Sequence, residues 1–377
     1  MTRGILLFTA AMLVATPAVA RDQWTPAQAN SWYAKQPWLV GANYTPANAI
    51  NQLEMWQPET FDPATIDKEL GWAQSIGMNT MRVFLHNMLW ENDPEGFKKR
   101  IDTFLTIAAK HKIKPLFVLF DSCWNPDPVA GLQHPPIPGV HNSGWVQAPG
   151  AARLKDESQY DKLESYVKGV IGAFANDDRV LGWDLWNEPN NEGGGNYPRT
   201  PDKKAWVAKL LPQVFAWARS ADPAQPLTSG VWIGENWDDM SKRDAVEKTQ
   251  LTQSDVISFH DYSWPETFEK RAKQVLSYGR PVLCTEYMAR GNGSTFDGSL
   301  PIAKKLNIGM MNWGFVDGKT QTRLPWDSWK KPYTFEEPTI WFHEVFRADG
   351  TPYRQAETDL IKRLSTAPKG VVPVASR

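Results

Sequence analysis

Only two cysteines, Cys123 and Cys284, occur in 377 residues. One lies just past an apolar run and the other inside one, which suggests two free thiols and no disulfide framework. Neither sign of charge is in excess, with 41 basic residues against 42 acidic, and there is no basic block. That excludes the electrostatic footprint of a nucleic-acid or anionic-membrane binder. Beyond Ala20 no apolar segment approaches the length of a membrane span. Gly-x-Gly-x-x-Gly and Walker loops for nucleotides are missing, as is the Gly-x-Ser-x-Gly elbow of serine hydrolases. Histidine is scarce, six in all. His86 and His260 could in principle join carboxylates at a metal, but no tight His-x-His or His-Glu-x-x-His cluster supports one. The expectation is a neutral partner, no metal and no cofactor.

Tryptophan, by contrast, is abundant. There are nineteen, and Trp124, Trp145, Trp237, Trp264, Trp326 and Trp329 fall in stretches that read as loops. Flat aromatic faces suit sugar rings, and they also pin long loops. At the start, Arg3, the apolar run Ile5–Val14 and the small residues Ala18-Val-Ala20 form the pattern of a secretory signal. Residues 1–20 are therefore expected to be removed and the mature chain to work in the periplasm or outside the cell. Residues 21–366 are read as one catalytic domain acting as a monomer, and 367–377 as a tail without fixed structure.

Eight short apolar runs follow one another, each bounded by turn signals: Trp38–Tyr44, Asn79–Leu85, Lys114–Phe120, Val180–Glu188, Pro226–Ile233, Val256–Tyr262, Pro281–Tyr287 and Gly309–Val316. Runs of this kind suit strands covered on both faces. Stretches of helical period separate them. After Asp62-Pro63, a cap and a first-turn proline, Ile66, Leu70, Ala73 and Ile76 recur at helical spacing until Gly77. Further helices are expected in Phe97–Ala108, Tyr160–Phe174, Lys203–Ser220, Asp238–Thr249, Glu266–Tyr278, Pro301–Leu306 and Thr339–Phe346. The alternation predicts a single (β/α)8 TIM barrel, with a doubly wound open sheet as the alternative. Helix-to-strand connections are short. The strand-to-helix loops Thr45–Phe61, Asp121–Asp156, Pro189–Asp202 and Asp317–Pro338 are long, so one end of the barrel is elaborated.

Two strands finish on a glutamate at that end. The run Val180-Leu-Gly-Trp-Asp-Leu-Trp-Asn-Glu-Pro-Asn190 stops at Glu188, because Pro189 bars a further ladder hydrogen bond. Strand alternation sends Asn187 and Glu188 to opposite faces, so they serve one pocket only if the backbone kinks there. The seventh run ends on Glu286. Points three strands apart on an eight-stranded barrel are separated by ~14 Å, and two inward glutamates would leave their carboxyls ~5 Å apart. That is the spacing of a retaining glycosidase, with Glu286 as nucleophile and Glu188 as acid/base. Arg82 lies within the second run and His86 is two alternation steps further on. His260 and Tyr262 share a face at the end of the sixth, and Trp313 closes the eighth.

Asn79-Thr-Met-Arg82, Trp186-Asn-Glu-Pro189, His260-Asp-Tyr262, Thr285-Glu286 and Asn312-Trp313 together resemble glycoside hydrolase family 5, over roughly Trp38–Phe346. The resemblance implies a cellulase-like β-glycosidase, and with it the expected activity is on a β-1,4-linked polysaccharide or oligosaccharide of the β-glucan, mannan or xylan class. It implies that Asn187 bonds the sugar 2-hydroxyl, that Arg82 and Tyr262 support Glu286, and that His260 and Trp313 line the subsite beside the cut bond. Where such enzymes often present a histidine after the third strand, this chain has Asp121-Ser-Cys-Trp124, which makes Trp124 a candidate sugar contact. Endo action is expected. Exo action, transglycosylation and a carbohydrate-binding barrel that has lost catalysis are the alternatives.

Overall fold

A computed structural model describes residues 20–194 and 197–373. The signal-like stretch lies outside them except for its last residue, as does the end of the tail. Eight strands run parallel: β1 Val40–Asn43, β2 Thr80–Phe84, β3 Lys114–Asp121, β4 Gly182–Asn187, β5 Leu227–Thr228, β6 Ile257–His260, β7 Val282–Glu286 and β8 Gly309–Asn312. Neighbours pair in the order β5-β4-β3-β2-β1-β8-β7-β6. A parallel bridge between Val231 and Phe259 joins the β5 segment to β6 and closes the barrel. Helices between the strands cover the outside, as the alternating sequence pattern requires.

The barrel floor is apolar. Leu39, Leu116, Leu181, Val256, Leu283 and Met311 pack together inside it, and Tyr33 with Trp32 plugs the opening. Both plugging rings belong to helix Pro26–Ala34, whose Thr25 and Gln28 form a reciprocal cap. Each such side chain taken from water contributes about 1.5–3 kcal/mol, so polar residues are left for the opposite end. There the strand register aligns Asn43 with Arg82, Asp121 with Asn187, and His260 with Glu286.

Two helices differ from the sequence pattern. Thr339–Phe346 is not helical, and the last helix is Gln355–Thr366. The backbone of this stretch is bonded to loops: Phe342 N–H donates to Arg323, and Phe346 forms bridges to Val316 and Pro352. Its apolar residues Trp341, Phe342, Val345 and Phe346 are buried by that route. The helix expected from Pro301 begins at Phe296, because Thr295 caps it and Pro301 falls in its second turn.

Glu69 ties the first barrel helix, Pro63–Ser75, to the segment after β1. It is buried and accepts hydrogen bonds from the Tyr44 hydroxyl (2.8 Å) and the Ala47 N–H (3.2 Å). Burial pushes its carboxyl up to about 7, against these two donors. The folded state therefore holds this proton where the unfolded chain has lost it. Stability from this group is fully present below the unfolded carboxylate range and declines as pH rises towards 7. Glu69→Gln is expected to shrink the fall in thermal midpoint between pH 5 and pH 8, measured by thermal scans at both.

Candidate active site

The end of β4 breaks strand alternation. Asp184 and Asn187, three residues apart, both bond the Arg82 guanidinium. Glu188 then sits at φ +43°, in the left-handed region. For a residue with a Cβ this costs of order 1–3 kcal/mol and is held only where the surroundings impose it. The turn brings the Glu188 side chain into the same cavity as Asn187.

Arg82 is fully buried and is the hub of the site. Its Nε donates to one oxygen of Asp184 (2.9 Å), which also lies in ion-pair contact with Nη2 (2.8 Å), and Nη1 donates to Asn43 Oδ1 and Glu286 Oε1 (both 2.9 Å). Nη2 also donates to Asn187 Oδ1 at 2.8 Å. With that oxygen fixed, the Asn187 amide nitrogen must face Asp121 Oδ1, which it does at 2.9 Å. The other Asp121 oxygen accepts from the Trp145 indole at 2.6 Å. The guanidinium fork suits such planar, multiply bonded recognition.

Glu286 and Glu188 face each other across His260. His260 Nδ1 is 3.0 Å from Glu188 Oε1 and 3.5 Å from Glu286 Oε2, and carboxyl oxygens of the two glutamates lie within 4.8 Å of each other. Their other partners are unequal. Glu286 receives the charged Arg82 and the Tyr262 hydroxyl (2.9 Å). Glu188 receives only the Asn191 amide (2.9 Å) and the Cys123 thiol (3.2 Å). Burial raises the Glu188 carboxyl above the ordinary range, and these weak donors oppose that only in part. Burial and the neighbouring Glu188 also raise Glu286, while the Arg82 charge and the Tyr262 hydroxyl pull it back. His260 is driven down to about 4 by burial, so it is neutral and adds no charge to the pair. The cavity above them has a volume of about 210 Å³ and is walled chiefly by Trp124, His141, Tyr197, Trp232, Trp313 and Trp326.

A family model described as Cellulase (glycosyl hydrolase family 5) matches residues 41–319. The chain belongs to glycosyl hydrolase family 5. It is a retaining glycoside hydrolase on a TIM barrel. No curated protein sequence matches the chain. Among solved structures, a β-1,4-mannanase from the sea hare Aplysia kurodai superposes with TM-score 0.53 at 18% identity, over 73% of this chain and 87% of its own. The endo-β-1,4-mannanase of Thermotoga petrophila gives 0.55 at 14% identity, over 89% and 77%. A GH5_18 protein from Streptomyces cattleya, in complex with Manb1-4GlcNAc, gives 0.59 at 14% identity, over 89% and 82%. At these identities the likeness is one of fold.

Within this family 5 barrel the structure gathers Arg82, Asn187, Glu188, His260, Tyr262, Glu286, Trp313 and Trp124 at one mouth. His86 is not among them. Its Nδ1 accepts from the Met88 N–H (3.2 Å), which leaves Nε2–H to donate to the Gln147 carbonyl (3.0 Å). It caps helix Asn87–Asn92 and does not line the cavity. Sequence reasoning missed Asn43, Asp184, His141, Asn191 and Tyr197. Asp184 carried a signal, a lone charge inside an apolar strand. His141 had none, since it reaches the cavity from the middle of a long loop. Cys123 and Cys284 are both free.

Glu188, His260 and Glu286 are also the one cluster among the described residues that offers three ligand atoms to an ion. Those atoms already have protein partners, and Arg82 already brings a positive charge to Glu286. Arg82→Met strands Asp184 and Glu286 without their cation and is expected to cost about 3–5 kcal/mol of stability in denaturant titration. Adding Asp184→Asn should recover part of that loss. A double variant no more stable than the single one would show that the Asp184 charge is not the cause.

Proposed function

We propose that this enzyme hydrolyses a β-1,4-linked glycan by double displacement, with Glu286 as nucleophile and Glu188 as acid/base. The observation that carries the reading is the unequal support of two carboxyls whose oxygens lie within 4.8 Å of each other. That spacing suits retention, since an inverting pair stands roughly 6.5–9.5 Å apart to admit a water. In the first step a Glu286 oxygen bonds the anomeric carbon as the glycosidic bond breaks, and Glu188 gives its proton to the leaving oxygen. In the second, Glu188 takes a proton from water, the hydroxide oxygen bonds the anomeric carbon, and Glu286 departs as carboxylate.

The other residues take roles their contacts suit. Arg82 and Tyr262 hold Glu286 ionised and oriented. The orientation forced on Asn187 directs its amide nitrogen towards Asp121 and the Cys123 sulfur, beside the cavity where a 2-hydroxyl would lie. Trp313 offers an apolar face to the ring, and the neutral charge balance suits an uncharged sugar. The solved structures named as mannanases make a β-mannoside the first substrate to try, ahead of β-glucan and xylan. The signal-like residues 1–20 support export to the periplasm or beyond.

Turnover needs Glu188 protonated and Glu286 ionised. Activity carried by the raised Glu188 is present below its folded pKa and lost as pH rises through it. Activity carried by Glu286 is lost as pH falls through its own. A bell-shaped kcat/KM profile is expected. Glu286→Gln should lower kcat by about 10³-fold or more. Glu188→Gln should remove the alkaline limb and slow a natural glycan far more than an aryl β-glycoside, whose leaving group needs no proton. Equal slowing of both substrates would rule out Glu188 as the acid.

A further inference from the structure

We infer that the enzyme is exo-acting and removes single sugar units from the non-reducing end, in place of the endo action expected from the sequence. This rests on the double-displacement reading above. Two long loops, one after β3 and one after β8, meet over the ends of β1 and β2. Asn142 N–H donates to the Thr320 carbonyl (2.8 Å), Tyr333 N–H to Gly139 (2.9 Å) and the Trp329 indole to His141 (2.7 Å). In turn His141 Nδ1 donates to Leu324 (2.8 Å), and Gln321 donates to Ile137 (2.7 Å) and Val140 (3.0 Å). The rings of Trp124 and Trp329 stack across the junction, with centroids 5.4 Å apart and planes 20° apart. Behind this wall the space is filled. Trp145 sits edge-on against Phe84 at the end of β2, and only about 20 Å³ remains beside them, room for a water and not for a sugar.

Contacts continue around most of the rim. Trp124 meets Tyr197, Asn190 holds the Trp232 indole, and Trp326 packs against Tyr262. Between Trp232, after β5, and Tyr262, after β6, no ring contact or direct hydrogen bond occurs among the described residues; the two loops are tied only through Arg271 of helix Pro265–Leu276, which donates to Gly234 (3.3 Å), Asp261 (3.0 Å) and Ser263 (2.9 Å). The exposed Ile233 and Trp264 belong to the same two loops. The cavity of about 210 Å³ is smaller than the roughly 300–1,000 Å³ of a drug-sized pocket and suits about one ring. The ring that becomes bonded to Glu286 must lie inside it, so that ring is the glycone. With the wall behind it, a further unit on its 4-hydroxyl has no place, and the leaving chain exits between the β5 and β6 loops.

The test uses the full chain, Glu286→Gln as control, and mannopentaose, cellopentaose and xylopentaose, each β-1,4-linked and tagged at the reducing end, beside the parent polymers. For whichever backbone is cut, the first products are expected to be an untagged monosaccharide and a tagged tetraose, with polymer viscosity nearly unchanged at low conversion. Tagged products of several lengths with an early fall in viscosity would overturn exo action while leaving the Glu286-dependent mechanism standing. A tagged monosaccharide as first product would overturn the placement of the glycone. No cleavage of any backbone, or cleavage that survives in Glu286→Gln, would overturn the proposal together with the reading beneath it. Trp329→Ala should open the wall and raise the share of products longer than one unit several-fold, and an unchanged pattern in the folded variant would remove the wall as the cause. If that variant does not fold, Gln321→Ala loosens the same junction and is judged by the same readout.

Discussion

The site depends on one buried cation. Taking the Arg82 guanidinium out of water costs several kcal/mol, and the cost is offset only if its donors are satisfied by well-placed acceptors. Here the acceptors come from Asn43 on β1, Asp184 and Asn187 on β4, and Glu286 on β7. The requirement to satisfy the guanidinium is therefore a requirement on the relative placement of four strands. A barrel with a different register in any of them would leave an orphaned charge in its interior. That gives the mouth of the barrel a defined geometry which apolar packing at the floor, tolerant of small shifts, does not supply by itself.

From that placement the difference between the two glutamates follows. Both are buried, and burial alone would protonate both. The asymmetry comes from what each one faces. Arg82 and Tyr262 give Glu286 a charged and a hydroxyl donor, while Glu188 has an amide and a thiol. His260 lies against both but, being neutral, does not erase the difference. Two like residues are thus given unequal partners, a charged donor on one and neutral donors on the other, and acid/base chemistry at one pH requires such an inequality.

The eight strands were legible because a strand covered on both faces leaves a continuous apolar run, and the cavity-lining Glu188 and Glu286 because each ends such a run. The kink at Glu188 was legible as a need: alternation and a shared pocket conflict, and the left-handed turn resolves the conflict. What could not be read depends on partners distant in the chain. Thr339–Phe346 has the apolar content of a helix, but its backbone donors and acceptors go to other loops. His86 and Arg82 look alike as polar residues near the end of β2, yet one caps a short helix and the other organises the site. Asn191 and Tyr197 lie in a loop whose composition says only that it turns.

Loop length pointed to the functional end of the barrel but not to the shape built there. The wall over β1 and β2 is made by pairs such as Asn142 with Thr320 and His141 with Leu324, each about 180 residues apart in sequence. Many of these bonds involve backbone groups, so the wall is tied into the fold by hydrogen bonds of the kind that join the strands beneath it. Enclosure and electrostatics are then one effect. The aromatic rim that limits the cavity to about one ring also keeps water from Glu188 and Glu286, and exclusion of water is the leading cause of their raised protonation. It likewise strengthens the attraction between Arg82 and Glu286, which in open solvent would be screened. A groove open at both ends would admit a longer glycan at the expense of that dry environment, lowering the Glu188 carboxyl towards its ordinary range. In the proposed mechanism the enclosed site gives up length of substrate and gains an acid that keeps its proton.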